Sequence, residues 1–480
     1  MLIDYGASPN AVNVTISRSN NRTCYTTNVL LAVMMPNSAE LVHLLLDRGA
    51  DQHIYYSQYR YSLYTDVQRI DGFETTFASC LIANLICTVV SSENCPIEND
   101  IIRKLELLVQ YGADIDSHIK GLTLLQHCLQ CRRRTQTAMH LIPHLLAHGA
   151  DANRLDSEGN RPLHILTRHF LTNYQRRWPL ALSINSSKYS QHSPLSSLID
   201  LLIEQGANPD AQDTEGMTPL ILLCSQPHSL PTGLLVKILL RNKVDVNIAD
   251  RWRCTALHYT VGTPESVFNQ EHCFRLQMLL NHNSGALDVN CRDGSGRMPL
   301  HLLLETHGSS SCSPHDISRL RQCMTKRRAL VMLIQAGADV RARLLPPTIS
   351  TPFPKGHSVN SIGSMEHGHG HGTVAEGIFN DLLADTPLHL ACQNRDPALI
   401  DILLRNGAAA DVNSVCRPER LMPLAIVIST LGQSNVWWNR KKKMIQLLLA
   451  AGANPTPHDM SDSTVHSCLP LSNACLQQVQ

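Results

Sequence analysis

One short phrase recurs ten times along this chain and constrains its fold more than any other feature. An apolar stretch leads into Gly-Ala-Asp or Gly-Ala-Asn, and a further Asn or Asp usually follows two residues later. The clear copies occupy residues 45–51, 108–116, 145–153, 202–210, 333–340 and 448–455, and the degenerate copies occupy residues 2–10, 239–247, 279–290 and 403–413. Such repetition predicts one small unit stacked along an axis. A stacked array presents a long surface rather than a single pocket.

A second phrase lies between the copies and predicts the start of another helix. Its copies are Arg-Pro-Leu-His at 161–164, Thr-Pro-Leu at 218–220, Thr-Ala-Leu-His at 255–258, Met-Pro-Leu-His at 298–301, Thr-Pro-Leu-His at 386–389 and Met-Pro-Leu-Ala at 422–425. Thr can cap a helix, and Pro fits the first helical turn. Leu198, Leu201 and Leu202 form one apolar face, and Gly206 suits a left-handed helix end. Each unit is therefore predicted to be helix, turn, helix and extended hairpin loop.

Together the two phrases resemble the ankyrin repeat, most closely at Asp385–Cys392, which reads DTPLHLAC. The resemblance implies an all-α ankyrin-repeat solenoid, with helix-turn-helix plus a hairpin finger in each unit and disordered loop inserts. It also implies that the histidines of the second phrase bridge neighbouring units by hydrogen bonds. These histidines are His164, His258, His301 and His389.

The spacing departs from the family's period of about 33 residues. Successive copies are 37 residues apart from Asp116 to Asn153 and 72 apart from Arg341 to Asn413. The extra residues must leave the stack as loops or extended helices. We predict ankyrin repeats over residues 1–343, with a partial first unit and several long inserts. A disordered insert containing His, Gly and Pro follows at 344–380, and repeats with a partial last unit occupy 381–480.

The two ends of the sequence interrupt the repeat. The chain opens inside the end of a second helix, and Cys468–Ala474 resembles the opening of a further unit. A stack needs polar caps on its end units. We therefore expect a fragment, a short isoform or an incomplete gene product, or else segments that fold over the ends.

Composition limits the classes of partner and compartment. The formal net charge is +1, which gives no bulk attraction to nucleic acid or to an acidic membrane. No signal peptide or membrane-spanning stretch is visible, so membrane insertion is not expected. The 16 cysteines are scattered, which favours buried thiols in the cytoplasm, with the nucleus as an alternative. A monomer is expected.

Clustered aromatic residues are the candidates for partner binding. The insert after the first clear copy contains Tyr55, Tyr56, Tyr59 and Tyr61; Trp252 lies on a predicted finger; Trp437 and Trp438 precede the basic run at 440–443. Tyr and Trp are efficient contact residues. The alternative for each group is packing within its own loop. The basic runs at 132–134, 326–328 and 440–443 are interpreted as solvated helix starts or loops, with a nuclear-import signal or an acidic-partner contact as the alternative.

Signals for metals, cofactors and catalysis are weak. His367, His369 and His371 alternate with Gly, but no rigid or acidic ligand accompanies them. Cys128 and Cys131 form a single pair, whereas a zinc site usually needs a second one. The chain contains no phosphate loop, no nucleophile elbow and no His-Glu-x-x-His segment. We predict no metal, no cofactor and no enzymatic activity.

The predicted function is that of a scaffold or adaptor for protein–protein interaction. It would bind a protein partner through the concave surface, the finger tips and the inserts. One alternative is a substrate-recognition subunit of a ubiquitin ligase, a role that some ankyrin proteins have. Another is the cytosolic ankyrin region of a larger membrane protein.

Overall fold

The computed structural model describes sixteen stretches of the chain. They are residues 8–9, 12–17, 22–27, 32, 38–50, 98–116, 121–130, 135–168, 194–226, 232–262, 270–282, 287–305, 317–344, 385–416, 421–429 and 435–455. They belong to two compact units, Met1–Thr214 and Glu215–Gln480.

The bounded elements that the structure describes in the first unit are one strand hairpin and six helices. Strands β1 (Val12–Ser17) and β2 (Arg22–Thr27) pair antiparallel, with Val12 opposite Thr27. The helices are α1 (Ala39–Asp47), α2 (Glu98–Gln110), α3 (Leu124–Gln130), α4 (Thr135–Ala147), α5 (residues 162–168) and α6 (Pro194–Glu204). Contacts of α1 with α2, α2 with α4, and α4 with α6 form one row, and α3 packs on α4. The hairpin follows the first copy of the phrase, as a long finger would.

The second unit is a two-layered stack of short helices. Its helices are α7 (Pro219–Cys224), α8 (Gly233–Arg241), α9 (Ala256–Val261), α10 (Gln270–Leu280), α11 (Pro299–Glu305), α12 (Ile317–Gln335), α13 (Pro387–Gln393), α14 (Pro397–Arg405), α15 (Pro423–Ser429) and α16 (Asn435–Ala450). Odd-numbered helices contact one another in order and form an inner row; even-numbered helices form an outer row. The predicted all-α solenoid is confirmed.

Helix starts and ends follow the two sequence phrases. The Thr218 hydroxyl accepts a hydrogen bond from the Ile221 amide and caps α7. At the other end of a unit, Gly337 closes α12 with φ 94°, a left-handed conformation that Gly adopts without a steric penalty. The next amide, that of Ala338, then bonds back to the Leu333 carbonyl at 3.0 Å. This is the helix-ending geometry that the sequence predicts.

Part of the extra length enters the outer helices. Helix α12 has 19 residues and α16 has 16, whereas α14 has 9. The prediction that extra residues leave the stack as loops or extended helices is met here by extended helices.

The longest insertion is located by a single backbone bond. The amide of Leu344 donates to the carbonyl of Asp385 at 3.0 Å, and in other fingers the same bond joins residues four apart, as in Asp250 to Cys254. Residues 345–384 thus replace a three-residue tip, and α11 still contacts α13 across them. The predicted insert 344–380 falls outside the described residues except for Leu344. Its disorder and the domain boundaries stay predictions.

Candidate functional site

A buried aspartate shapes each tight finger. The Oδ1 atom of Asp250 accepts hydrogen bonds from the amides of Trp252 and Cys254, both at 2.9 Å, and Oδ2 accepts one from the Tyr259 hydroxyl at 2.6 Å. Burial raises the pKa of Asp250, although these hydrogen bonds act in the opposite direction. Asp156 and Asp293 bind their own finger amides in the same way. The carboxylate therefore fixes a tip of three residues.

Neighbouring finger tips in the second unit are joined through their backbones. The amide of Arg251 donates to the carbonyl of Glu215 at 3.1 Å, and the amide of Gly294 donates to the carbonyl of Trp252 at 2.7 Å. Three successive tips, which we call the finger row (residues 215–216, 251–253 and 294–296), thus form one connected edge. Trp252 lies at its centre.

The Trp252 side chain is half-buried and carries an ordered cation. The Arg251 guanidinium carbon lies 4.2 Å from the centroid of the Trp252 ring. The same guanidinium binds the Glu215 carboxylate at 2.6 and 2.8 Å, and this pair is largely exposed. Cation–π contact and a two-point ion pair hold the three side chains together. The finger row therefore presents a positioned aromatic group with polar neighbours, a composition suited to contact with another protein.

Asparagines at the end of the first phrase join consecutive repeats. The Nδ2 atom of Asn290 donates to the Gly337 carbonyl at 3.0 Å, and its Oδ1 accepts from the Asp339 amide at 2.8 Å. Asn153 and Asn413 make the same pair of bonds to the repeat that follows each of them. This role was not predicted from the sequence. The bonds link each of these three repeats to the repeat that follows it.

Histidines of the second phrase also bridge repeats, as the family resemblance implies. In His301, Nδ1 accepts from the Met298 amide at 3.2 Å, so Nε2 carries the proton and donates to the Ala342 carbonyl at 3.1 Å. His389 forms the same link to the Ser414 carbonyl at 3.1 Å. The buried Nε2 of His258 has no such partner within the described residues. Burial lowers the pKa of both His258 and His301 to about 4.

Buried cations lie against the ends of inner helices. The Nη1 atom of Arg275 donates to two carbonyls at the end of α7, at 3.1 and 3.2 Å. Lys441 donates to the Ile428 carbonyl of α15 at 2.8 Å, and Lys326 donates to Asn394 Oδ1 at 2.6 Å. Burial lowers the pKa of Lys326 to about 8. The basic runs at 326–328 and 440–443 are therefore not simply solvated, because one lysine of each is buried and hydrogen-bonded to the stack.

The predicted aromatic contacts are distributed over separate elements. Trp252 lies in the finger row. Trp438 lies on the outer helix α16, is 46% exposed, and has the Lys441 Nζ atom 5.8 Å from its ring centroid. Trp437 is on the same helix, but its side chain is outside the described part. The four predicted tyrosines are outside the described residues altogether: Tyr55, Tyr56, Tyr59 and Tyr61.

In the described stretches, no group of three or more His, Cys, Asp or Glu side chains is placed to hold a metal ion. None of the helices in those stretches is both long enough and apolar enough to cross a membrane. The predicted lack of metal, cofactor and catalysis stays a prediction.

Comparison with known proteins assigns the repeats. The family described as "Ankyrin repeats (3 copies)" matches residues 189–268, and "Ankyrin repeat" matches residues 385–417. Ankyrin repeat protein OPG189 of Variola virus is 26% identical over 156 residues, which is 30% of this chain and 27% of that protein. Human Rabankyrin-5 is 28% identical over 159 residues, which is 32% of this chain and 12% of Rabankyrin-5.

Two further similarities extend over more of the chain. Human transient receptor potential cation channel subfamily A member 1 is 24% identical over 272 residues, 56% of this chain and 16% of the channel. The solved ankyrin repeat domain of Bcl-3 is 20% identical, with a TM-score of 0.39, over 67% of this chain and 99% of that domain. The chain thus spans about a quarter or less of the length of each curated relative named here. By the two family matches, the repeated phrases and the two-layered stack of the second unit, the chain contains ankyrin repeats.

Proposed function

We propose that this protein is a scaffold or adaptor that binds a protein partner through its finger row, with Trp252 as the main contact. The observation that supports this most directly is the backbone bonding of three successive tips around one half-buried tryptophan. Ankyrin repeats generally mediate protein–protein interaction, and the extended surface of a repeat stack serves such binding.

The order of the finger row favours its use as a contact. Binding costs less conformational entropy when the contacting side chains are already fixed. Here the Asp250 carboxylate fixes the turn, and Glu215 fixes the Arg251 guanidinium over the Trp252 ring. A partner that covers Trp252 would bury its ring without having to order the loop.

Partner capture with two matched tryptophan variants tests the proposal. Intact chain, Trp252→Ala and Trp438→Ala would each be cross-linked in native extract, and captured proteins identified by mass spectrometry. Both substitutions remove an indole, but the second lies on an outer helix. We expect one or more partners to be retained by Trp438→Ala and lost by Trp252→Ala, with unchanged circular dichroism. Equal capture by all three proteins would contradict the role of the finger row.

A second candidate function is the cytosolic ankyrin region of a larger membrane protein. The match to the cation channel subfamily A member 1 covers more than half of this chain, which favours this alternative. Sequencing full-length transcripts tests it. Apolar spans encoded in frame beyond either end would support it, whereas stop codons at both ends in every transcript would exclude it. The ubiquitin-ligase alternative has no observation in its favour among the described residues.

The protein is further proposed to be a monomer without catalytic activity, located in the cytoplasm or, alternatively, in the nucleus. Support comes from a repeat scaffold whose candidate surface is an edge rather than a pocket. Light scattering of the purified chain checks the oligomeric state, and imaging of a tagged chain checks the compartment. A stable dimer, or a secreted product, would contradict these statements.

A further inference from the structure

Among the described residues, the outer row has a gap because neighbouring helices differ in length. Helices α12, α14 and α16 each lead into an equivalent glycine: Gly337, Gly407 and Gly452. Counting back from these glycines, α12 starts 20 residues earlier (337 to 317), α14 starts 10 earlier (407 to 397) and α16 starts 17 earlier (452 to 435). At a rise of about 1.5 Å per residue, α12 and α16 extend roughly 15 and 10 Å beyond the start of α14.

The width of this gap matches one helix. Both α12 and α16 contact α14. Packed helices lie about 8–10 Å apart, so the extensions of α12 and α16 flank a space as wide as α14 itself. We call this space the outer slot. It is bounded by the extensions of α12 and α16, and its floor is the start of α14 with the preceding turn, residues 394–396.

The α12 wall of the outer slot carries an exposed methionine beside an arginine. Arg327 binds the Asp396 carboxylate through two nitrogens, at 2.7 and 2.8 Å, and Asp396 Oδ1 caps α14 by accepting from the Ala398 amide at 3.1 Å. Arg327 therefore lies at the floor. Its Nη1 atom is 3.9 Å from the Met324 sulfur, which places Met324 at the same wall. Met324 is 63% exposed.

The α16 wall is assigned through repeat equivalence. Thr325 lies 12 residues before Gly337, and its carbonyl accepts a bond at 3.4 Å from Cys273 on α10, the preceding outer helix. A residue three positions later lies on the same helix face. The equivalent positions on α16 are Arg440 and Lys443, which therefore face α14 and the outer slot. Lys443 is exposed and Arg440 is half-buried.

The floor is ordered and the slot as a whole is basic. Asn394 accepts from buried Lys326 and donates to carbonyls of Leu390 and Leu304, which anchors the turn to two inner helices. Arg395 follows at φ 57°. Among the described residues, Arg440 and Lys443 add positive charge beside the Arg327–Asp396 ion pair.

We propose that the outer slot binds an acidic amphipathic helix of a partner protein. A helix of that width continues the line of α14, an apolar side chain on it packs on Met324, and its carboxylates pair with Arg440 and Lys443. Methionine adapts to varied apolar partners, and a helix laid in a groove is a common recognition mode. The slot lies at the end of the outer helices opposite the fingers, so this site is separate from the proposed finger contact.

Peptide selection on the intact chain tests the proposal. A displayed library of random 14-residue helical peptides would be enriched on the full chain and counter-selected on a Met324→Ala/Arg440→Glu variant. Selected peptides would then be synthesised and their binding measured by fluorescence anisotropy at low and high salt. The matched control is Arg405→Glu, which reverses a 76% exposed arginine at the other end of α14.

We expect the selected peptides to carry Asp or Glu together with an apolar stripe. They should bind the intact chain and Arg405→Glu equally, lose at least tenfold affinity on the double variant, and weaken with salt. Equal binding to the double variant would overturn the proposal, provided that its circular dichroism and melting match those of the intact chain. Selection of peptides without acidic residues would also overturn it. Loss of peptide binding by the Trp252→Ala variant would overturn it as well, because the site would then lie on the finger row.

Discussion

Removing the longest insertion should stabilise the second unit. The change replaces residues 345–384 with Ser-Glu-Gly, the tip found at 157–159, and adds Leu344→Asp to supply the finger carboxylate. The bond from Leu344 to Asp385 already closes the base of this finger. We therefore expect the shortened finger to adopt the geometry of its neighbours while α11 stays packed on α13.

The expected magnitude follows from two separate contributions. Closing 3 residues instead of 40 saves about 2 kcal/mol of loop entropy. The new carboxylate should accept two amide bonds, as Asp293 does at 2.8 and 2.9 Å, and each bond contributes about 1 kcal/mol. The full variant should gain roughly 4 kcal/mol in the free energy of unfolding. A control with the short tip but with Leu344 retained should gain roughly half of that.

Urea unfolding followed by circular dichroism measures both gains, and hydrogen exchange of the α11 and α13 amides localises them. The expected gain in the free energy of unfolding requires that residues 345–384 add no packing of their own to the stack. A shortened protein that is less stable than the intact chain, or one in which α13 loses protection, would refute it. Such a result would mean that the insertion supports the repeats, and the predicted disorder would be wrong.

Three further predictions concern the joints and the core. Asn290→Ala removes both bonds to the next repeat and should cost about 1–2 kcal/mol, measured by urea unfolding; no change would show that the joint is redundant. Arg275→Ala removes two hydrogen bonds to buried carbonyls and leaves a cavity, so a loss of about 3–5 kcal/mol is expected. His258 and His301 have pKa values of about 4 in the fold, against 6.5 when unfolded, so the unfolded chain binds protons first as pH falls. Stability should therefore drop between pH 6.5 and 4 by roughly 3 kcal/mol per histidine, and His301→Gln should reduce that slope.

Much of the fold is predictable from sequence because its determinants are local. The glycine that ends an outer helix needs a left-handed backbone, and Thr or Pro at the start of an inner helix satisfies or avoids a free amide. These requirements act within a few residues, so their pattern survives in the sequence. One copy departs from the phrase: residues 123–126 read Thr-Leu-Leu-Gln. There the Gln126 side chain accepts from the Thr123 amide at 2.7 Å, as histidine does elsewhere.

The parts that sequence did not predict depend on contacts between distant residues. Arg275 lies in an apolar helix pattern, and nothing local shows that its guanidinium reaches carbonyls about fifty positions earlier. The outer slot depends on the relative lengths of three helices aligned by the stack. Trp252 was predicted as a contact, but its pairing with Glu215 through Arg251 follows only from the alignment of adjacent fingers. The finger aspartates do leave a signal, an Asp five residues before the inner-helix phrase.

The asparagine joints make the repeats exchangeable parts. Asn153, Asn290 and Asn413 each form hydrogen bonds to the equivalent carbonyl and the equivalent amide of the repeat that follows. A duplication or loss of one whole repeat in frame would therefore recreate an identical joint at the new junction. The separation along the chain varies, from 39 residues between Asn413 and Gly452 to 53 between Asn153 and Gly206, while the pair of bonds is the same. An array connected in this way can be lengthened or shortened during evolution without redesign of its interfaces.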